Sequence, residues 1–234
     1  MLKRILDCLG SGIGLICIAP FLAIIAVAIR LTSPGPVLFR QERVGQNGRI
    51  FRIYKFRSMR ADSHLQGSSI TVGGDQRITR TGAFLRRHKL DELPQLINVL
   101  TGDMSMVGPR PEVKEFVDLF PAQYSRILTV RPGITHQGTL MFRNEEEILA
   151  GAADPRSRYL SFVMPLKLKI YLADLEQPLT EDLKVILATL MPSLGLKSYP
   201  AIQLDSPAIA RLADYAPADI PAVARVEKAM EEMA

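Results

Sequence analysis

The stretch CLGSGIGLICIAPFLAIIAVAI, residues 8–29, carries no charged side chain over 22 consecutive positions. About 20 apolar residues are what an α-helix needs to cross the hydrocarbon of a bilayer, so length alone places this segment in a membrane. Gly10, Gly12 and Gly14 crowd its first half, Pro20 sits in its middle, and Phe21 to Ile29 form a cleaner apolar run. Proline removes one helical hydrogen bond and its ring opposes the turn before it, so a bend is expected at Pro20.

Both flanks of this segment are basic. Lys3 and Arg4 precede it; Arg30, Arg40, Arg43, Arg49, Arg52, Lys55, Arg57 and Arg60 follow, with Glu42 the one acid between residues 30 and 60. Basic residues in short loops stay on the cytoplasmic side. A helix that enters, bends at Pro20 and returns keeps both flanks there, and this re-entrant reading is the one adopted. A straight single span is the simpler alternative, since membrane helices tolerate proline. A cleaved signal, suggested by Ala26-Val27-Ala28, is opposed by the length of the run and the basic stretch after it.

The whole chain of 234 residues is 47% hydrophobic and 23% charged, which excludes disorder over most of its length and fits one domain with appendages. A net charge of +5 suits partners that carry phosphate. Cys8 and Cys17, the two cysteines, both lie in the apolar segment, so neither a disulfide framework nor a thiolate metal site is available elsewhere.

Beyond Ser33-Pro34-Gly35-Pro36, Val37 to Phe39 read as a short strand, Gly45 to Gly48 as a turn, and Arg49 to Arg57 as a second strand with one buried and one positive face. Residues 61–75 are polar and glycine-rich and read as a loop. A helix over 79–90 carries Arg86; a second, beginning at Asp91 and ended by Gly102, buries Leu93, Leu96, Ile97 and Leu100; a third spans about 112–128. Past Asn144 the chain reads as mostly helical, with apolar faces suited to a core or a membrane surface. The expected class is α+β, mostly helical with a small β-hairpin, in three parts: a membrane-embedded helix over 1–32, a catalytic domain over 33–198, and a tail over 199–234.

Asp91-Glu92-Leu93-Pro94 is the strongest chemical signal. Neighbouring residues of a strand face opposite ways, so two adjacent carboxylates aimed at one site call for a helix start. Asp91 fits the N-cap and Pro94 the first turn, at the positive end of the helix dipole, where phosphate oxygens are also welcome. Two carboxylates and a diphosphate repel one another, so a divalent cation is expected, with Asp91 and Glu92 as its ligands and Mg²⁺ as the ion. Lys55, Arg57, Arg86, Arg110, Arg131 and Arg143 lie near or beside turns able to aim them at phosphate. An ionised carboxylate can attack phosphorus and form an acyl phosphate. Taken alone, Asp-Glu-x-Pro is equally an ordinary helix start. His64, His88 and His136 are too scattered for a metal site and read as surface or packing residues.

Several stretches together, 51–59, 90–100, 102–111 and 130–135, resemble the bacterial sugar transferases, small monotopic phosphoglycosyl transferases, over about residues 1 to 190. That resemblance implies a ping-pong reaction. The aspartate matching Asp91 attacks the sugar-side phosphorus of a UDP-sugar, UMP leaves, and polyprenyl (undecaprenyl) phosphate takes the phosphosugar, initiating membrane-linked glycan assembly. Glu92 matches the partner acid, with a metal-binding or acid–base role. Magnesium and a re-entrant helix bent at the proline matching Pro20 also belong to the family, and imply an inner-membrane enzyme with its catalytic domain on the cytoplasmic face. The implied partners are the UDP-sugar, the polyprenyl phosphate and membrane lipids, with no nucleic acid; a homodimer is allowed for.

The chain departs from the family pattern at Ala19, where serine often precedes the proline, at His136-Gln137-Gly138-Thr139, and at Lys169 before Tyr171, where an acid is expected. Two other readings compete: a membrane-anchored nucleic-acid-binding module, suggested by the basic stretch 30–60 and its aromatics, and an inactive scaffold relative. The first leaves Asp91-Glu92 unexplained.

Overall fold

A computed structural model of the chain describes residues 2–60 and 71–191. Most of the expected loop 61–75, with His64, and the whole expected tail 199–234 lie outside the described residues. The chain forms two compact units, one of Met1–Ser69, Asp75–Val113 and Leu128–Thr135, the other of Ile70–Gly74, Lys114–Ile127 and His136–Ala234.

In the first unit α1, Leu2–Thr32, is one helix continuous through Pro20. Among the described residues it is the one helix long and apolar enough to cross a membrane. One of its faces is covered by protein: Asp7, Ser11, Ile25 and Ile29 are buried. Gly12 and Gly14 leave room there for Leu100 and Leu96. Elsewhere Leu9, Ile13, Ile16, Ile24 and Leu31 are exposed, as a lipid-facing surface requires.

β1 (Leu38–Val44) and β2 (Ile50–Phe56) pair antiparallel from Leu38↔Phe56 to Val44↔Ile50. They join through a turn in which Asn47 and Gly48 take positive φ, which both residue types tolerate. The hairpin is the expected one, but its first strand extends to Val44 because the partner register continues to the turn. The expected division into a buried and a positive face is corrected in one respect. Lys55 shares the side of Phe51 and Ile53, four and two residues before it, so strand alternation turns its ammonium inward.

α2 (Arg80–Arg87) starts at Thr79, whose hydroxyl accepts from Gly82 N. α3 (Gln95–Thr101) ends at Gly102 in the left-handed region, as read from sequence. Buried Asn98 of α3 accepts from Tyr54 N at 2.9 Å and donates to Arg52 O at 2.8 Å, fastening α3 to β2. Val99 and Met104 complete a core with Phe51 and Ile53. The extended stretch after Gly102 contains β3 (Ser105–Val107), parallel to β4 (Gly133–Thr135). A Cβ on Gly133 would lie 2.0 Å from Gly108 N, so this approach requires glycine.

The second unit is helical: α4 (Lys114–Leu119), α5 (Pro121–Ile127), α6 (Gln137–Met141), α7 (Glu145–Ala150), α8 (Pro155–Arg158), α9 (Met164–Ala173) and α10 (Leu179–Leu190), with a π turn at Tyr159–Val163. The single helix expected over 112–128 is two, because Pro121 cannot donate within a continuing helix and opens α5 instead. Phe120, Leu149, Val163, Met164 and Leu168 are buried. Lys167, also buried, pairs with Glu145 and lies 5.5 Å from the Tyr159 ring. His136 caps α6, accepting from Gly138 N through Nδ1, and is a packing residue as expected. Lys169 is half-buried, its ammonium has no hydrogen-bond partner among the described residues, and burial lowers its pKa. α10 exposes Leu183, Leu187 and Leu190.

Candidate active site

Asp91 does not cap a helix. It is the middle residue of a 3-10 turn, Leu90–Glu92, preceded by Lys89 in the left-handed region (φ 56°), and Pro94 occupies the cap of α3. Leu93 is held in the right-handed helical region, which a following proline disfavours. A non-glycine residue at positive φ and a helical residue before proline persist only where surrounding packing fixes them, and such turns gather at functional sites. Here the turn drives Asp91 inward until it is 5% exposed.

The two neighbouring carboxylates have opposite environments. Glu92 Oε1 accepts from Lys55 Nζ at 2.9 Å, Oε2 from one Arg110 nitrogen at 3.1 Å, and Oε1 also pairs with the other. Burial disfavours its charge, but Arg110 and Lys55 outweigh that and hold its carboxyl well below the usual range. Among the described residues Asp91 has no such fork: Oδ1 is buried and makes no hydrogen bond there. Burial, reinforced by the Glu92 charge, raises its pKa, against the opposing pull of Lys55, Arg86 and Lys89. Burial lowers the pKa of Lys55, with Arg110 and Arg43 adding to the effect and Glu92 opposing it.

Arg110 reaches Glu92 from the segment after β3. That segment is clamped where Gly108 N donates to Thr135 O and Gly133 N to Pro109 O. Arg43 of β1 reinforces the same segment by donating to Pro111 O and pairing with Glu112.

Of the residues selected from sequence, Lys55, Arg86, Asp91, Glu92 and Arg110 are brought together. Arg57 is held elsewhere in the first unit, donating to Pro36 O and to Ser33 O and Oγ. Arg131 Nε donates to Gly102 O at 3.0 Å and supports the loop after α3. Arg143 lies in the second unit between α6 and α7. Sequence reading missed Lys89 and also Gln95, which is fully buried with neither amide atom bonded among the described residues. It missed as well the Arg4–Asp7–Ser11 strip of α1, whose helical spacing was a usable signal.

Among the described residues, no group of three or more His, Cys, Asp or Glu side chains forms a metal cage. The donors fit a different arrangement, an ion shared with phosphate: Asp91 Oδ1 is an acceptor in need of a partner, and magnesium accepts one or two carboxylates plus phosphate oxygens.

The family model described as bacterial sugar transferase matches residues 1–194. The chain is 48% identical over 57% of its length to the UDP-N-acetylgalactosamine-undecaprenyl-phosphate N-acetylgalactosaminephosphotransferase of Aeromonas hydrophila, covering 32% of that protein. It is 48% identical over 58% of its length to the exopolysaccharide production protein PSS of Rhizobium leguminosarum bv. phaseoli, covering 71% of it. With the UDP-glucose:undecaprenyl-phosphate glucose-1-phosphate transferase of Escherichia coli (strain K12) it shares 44% identity over 58% of its length, covering 30% of that relative.

Proposed function

This chain belongs to the bacterial sugar transferase family, and from that premise we propose that it transfers a sugar phosphate from a UDP-sugar to undecaprenyl phosphate, with Asp91 as nucleophile. The observation that carries this is the asymmetry of the acidic pair, a neutralised Glu92 beside an Asp91 whose Oδ1 has no hydrogen-bond partner among the described residues. A carboxylate already bound in a salt bridge is a poor nucleophile. One that is buried, unbonded and surrounded by cations is ready to bond to an incoming phosphorus.

In the first half-reaction an Asp91 oxygen bonds to the sugar-side phosphorus, the bond from that phosphorus to the bridging oxygen breaks, and UMP leaves with the electron pair. In the second, an oxygen of the acceptor phosphate bonds to the same phosphorus, the acyl–phosphate bond breaks, and the Asp91 carboxylate returns. Lys55 and Arg110, held apart by Glu92, present positive charge to the oxygens that gain charge at each step. Asp91, with Glu92 beside it, would hold a magnesium ion, and that ion would supply positive charge against the diphosphate. Arg86 acts on Asp91 from the α2 side.

The membrane reading extends to a helix with both ends on the cytoplasmic face of the inner membrane. It is supported by the basic flanks and by the attachment of both halves of α1 to the first unit: Asp7 accepts from Ser105 Oγ and Met106 N, and Ile25 and Ile29 pack with Phe56 and Leu85.

The test is purified protein with magnesium, undecaprenyl phosphate and a panel of UDP-sugars. UMP release with one or more donors is expected, together with loss of release in Asp91→Asn and a phosphosugar adduct on Asp91 by intact mass. Turnover persisting in Asp91→Asn would overturn the nucleophile assignment.

A further inference from the structure

Where α1 ends, a cavity of about 670 Å³ opens between the Thr32-Ser33-Pro34 turn and the start of α2. Its lining includes the guanidinium-bearing Arg60 and Arg80 and the hydroxyl residues Thr32, Ser33, Thr79 and Thr81; no carboxylate lines it among the described residues. Thr81 Oγ1 and Thr32 Oγ1, 3.1 Å apart, tie its two walls together. Two more arginines stand at the same turn, Arg57 on Ser33 and Pro36 and Arg30 on Gly35 O. Arg80 is exposed and makes no ion pair among the described residues.

Hydroxyls and arginine forks recognise phosphate. This volume falls within the 300–1,000 Å³ typical of small-molecule sites, roomier than a bare phosphate ion needs. The place is the exit of an apolar helix, the depth at which lipid headgroups lie. The phosphate that reacts belongs elsewhere: Arg80 opens α2 while Arg86, beside Asp91, lies six residues on, roughly 9 Å along the axis. A reacting oxygen must come within about 3.5 Å of its phosphorus.

We infer that this pocket seats the headgroup of an anionic phospholipid, a resident lipid separate from the acceptor. The inference rests on the membrane reading of α1 and is independent of the transfer chemistry, so its test reads lipid and not UMP. The full chain is reconstituted in bilayers of phosphatidylcholine with a minority of phosphatidylglycerol, and the lipid retained on release is identified by native mass spectrometry.

One phosphatidylglycerol retained in preference to phosphatidylcholine is expected. Arg80→Gln should weaken retention roughly fivefold, the strength of one arginine at a charged surface, and Arg80→Glu should abolish it. Arg87→Gln, exposed on the same helix outside the pocket, should leave it unchanged. Equal loss in Arg80→Gln and Arg87→Gln, or none in either, overturns the site. Added undecaprenyl phosphate displacing phosphatidylglycerol from the wild type but not from Arg80→Gln would show that the pocket belongs to the acceptor, and overturns the resident-lipid assignment.

Discussion

Asp91 and Glu92 are adjacent carboxylates whose substitutions should act in opposite directions. Replacing Glu92 by Gln leaves Lys55 and Arg110 without the anion between them, and breaking a largely buried pair costs about 3 kcal/mol or more, so denaturant titration should show a clear loss. Asp91→Asn removes a charge that burial disfavours, so stability should hold or rise while UMP release vanishes. The same asymmetry sets pH dependence. Asp91 must be ionised to attack and its pKa is raised, so kcat/KM should fall on acidification at a pH above the ordinary aspartate value. Lys55 must stay charged and its pKa is lowered, so activity should fall on the alkaline side before free lysine titrates. In stability the signs differ. Glu92 stabilises above its unfolded pKa and loses that contribution only as pH falls through its depressed folded value, whereas Asp91 favours folding more as acid neutralises it. Titration of the magnesium-free protein in which Asp91 ionises at or below the ordinary aspartate range would contradict this account of its environment.

At the scale of elements, α2 makes a close approach that only glycine allows: a Cβ on Gly82 would lie 1.9 Å from Ser58 O. Gly82→Ala must push α2 away from the Ser58 backbone that follows β2, shifting Arg86 and the turn that holds Asp91. A loss of about 2 kcal/mol or more in stability is expected, with reduced UMP release, readable by thermal melting and assay. How much of each element was legible depended on the range of the forces that make it. The Gly102 stop, the presence of a hairpin and the presence of one long apolar helix rest on local pattern and turn chemistry, and are as read; the length of β1 is set by its partner's register and was not. The Asp91 turn was misread as a helix cap because side-chain types at 91–94 suit either, and what decides is Lys89 at positive φ, a backbone state set by packing. Lys55 was chosen for lying near a turn able to aim it at phosphate; what turns it inward is its strand parity with Phe51 and Ile53. The β3–β4 pairing joins segments 28 residues apart, Ser105 to Gly133, and no local pattern encodes it. Arg57 and Arg131 were chosen for lying near turns; both instead donate to backbone carbonyls, which depends on neighbours distant in sequence.

At the scale of the molecule, the decisive question is how α1 meets the bilayer. A straight span of 31 residues would be about 46 Å long, enough to cross with its ends on opposite sides. Its attachments oppose that arrangement. Arg4 donates to Val99 O and Leu100 O at the end of α3, and Asp7 binds Ser105 and Met106; near the other end Ile25 and Ile29 join Phe56 and Leu85. All of these partners belong to the unit that carries Lys55, Asp91 and Arg110, so a transmembrane span would draw a charged reaction centre toward hydrocarbon, at a cost of several kcal/mol per unpaired group. The proposed arrangement, α1 within one leaflet with its exposed leucines and isoleucines in lipid, would satisfy both the apolar face and the attachments. With Cys8 and Cys17 replaced by serine, single cysteines at Leu2 and Thr32 should therefore both react with a membrane-impermeant maleimide from the cytoplasmic side of oriented vesicles. Asp7→Ala should loosen the first attachment and lower thermal stability by about 1.5–3 kcal/mol, the worth of hydrogen bonds to a charged group. Labelling of the two positions from opposite sides would mean that α1 crosses the bilayer, and that Asp7 and Ile29 do not hold one body together.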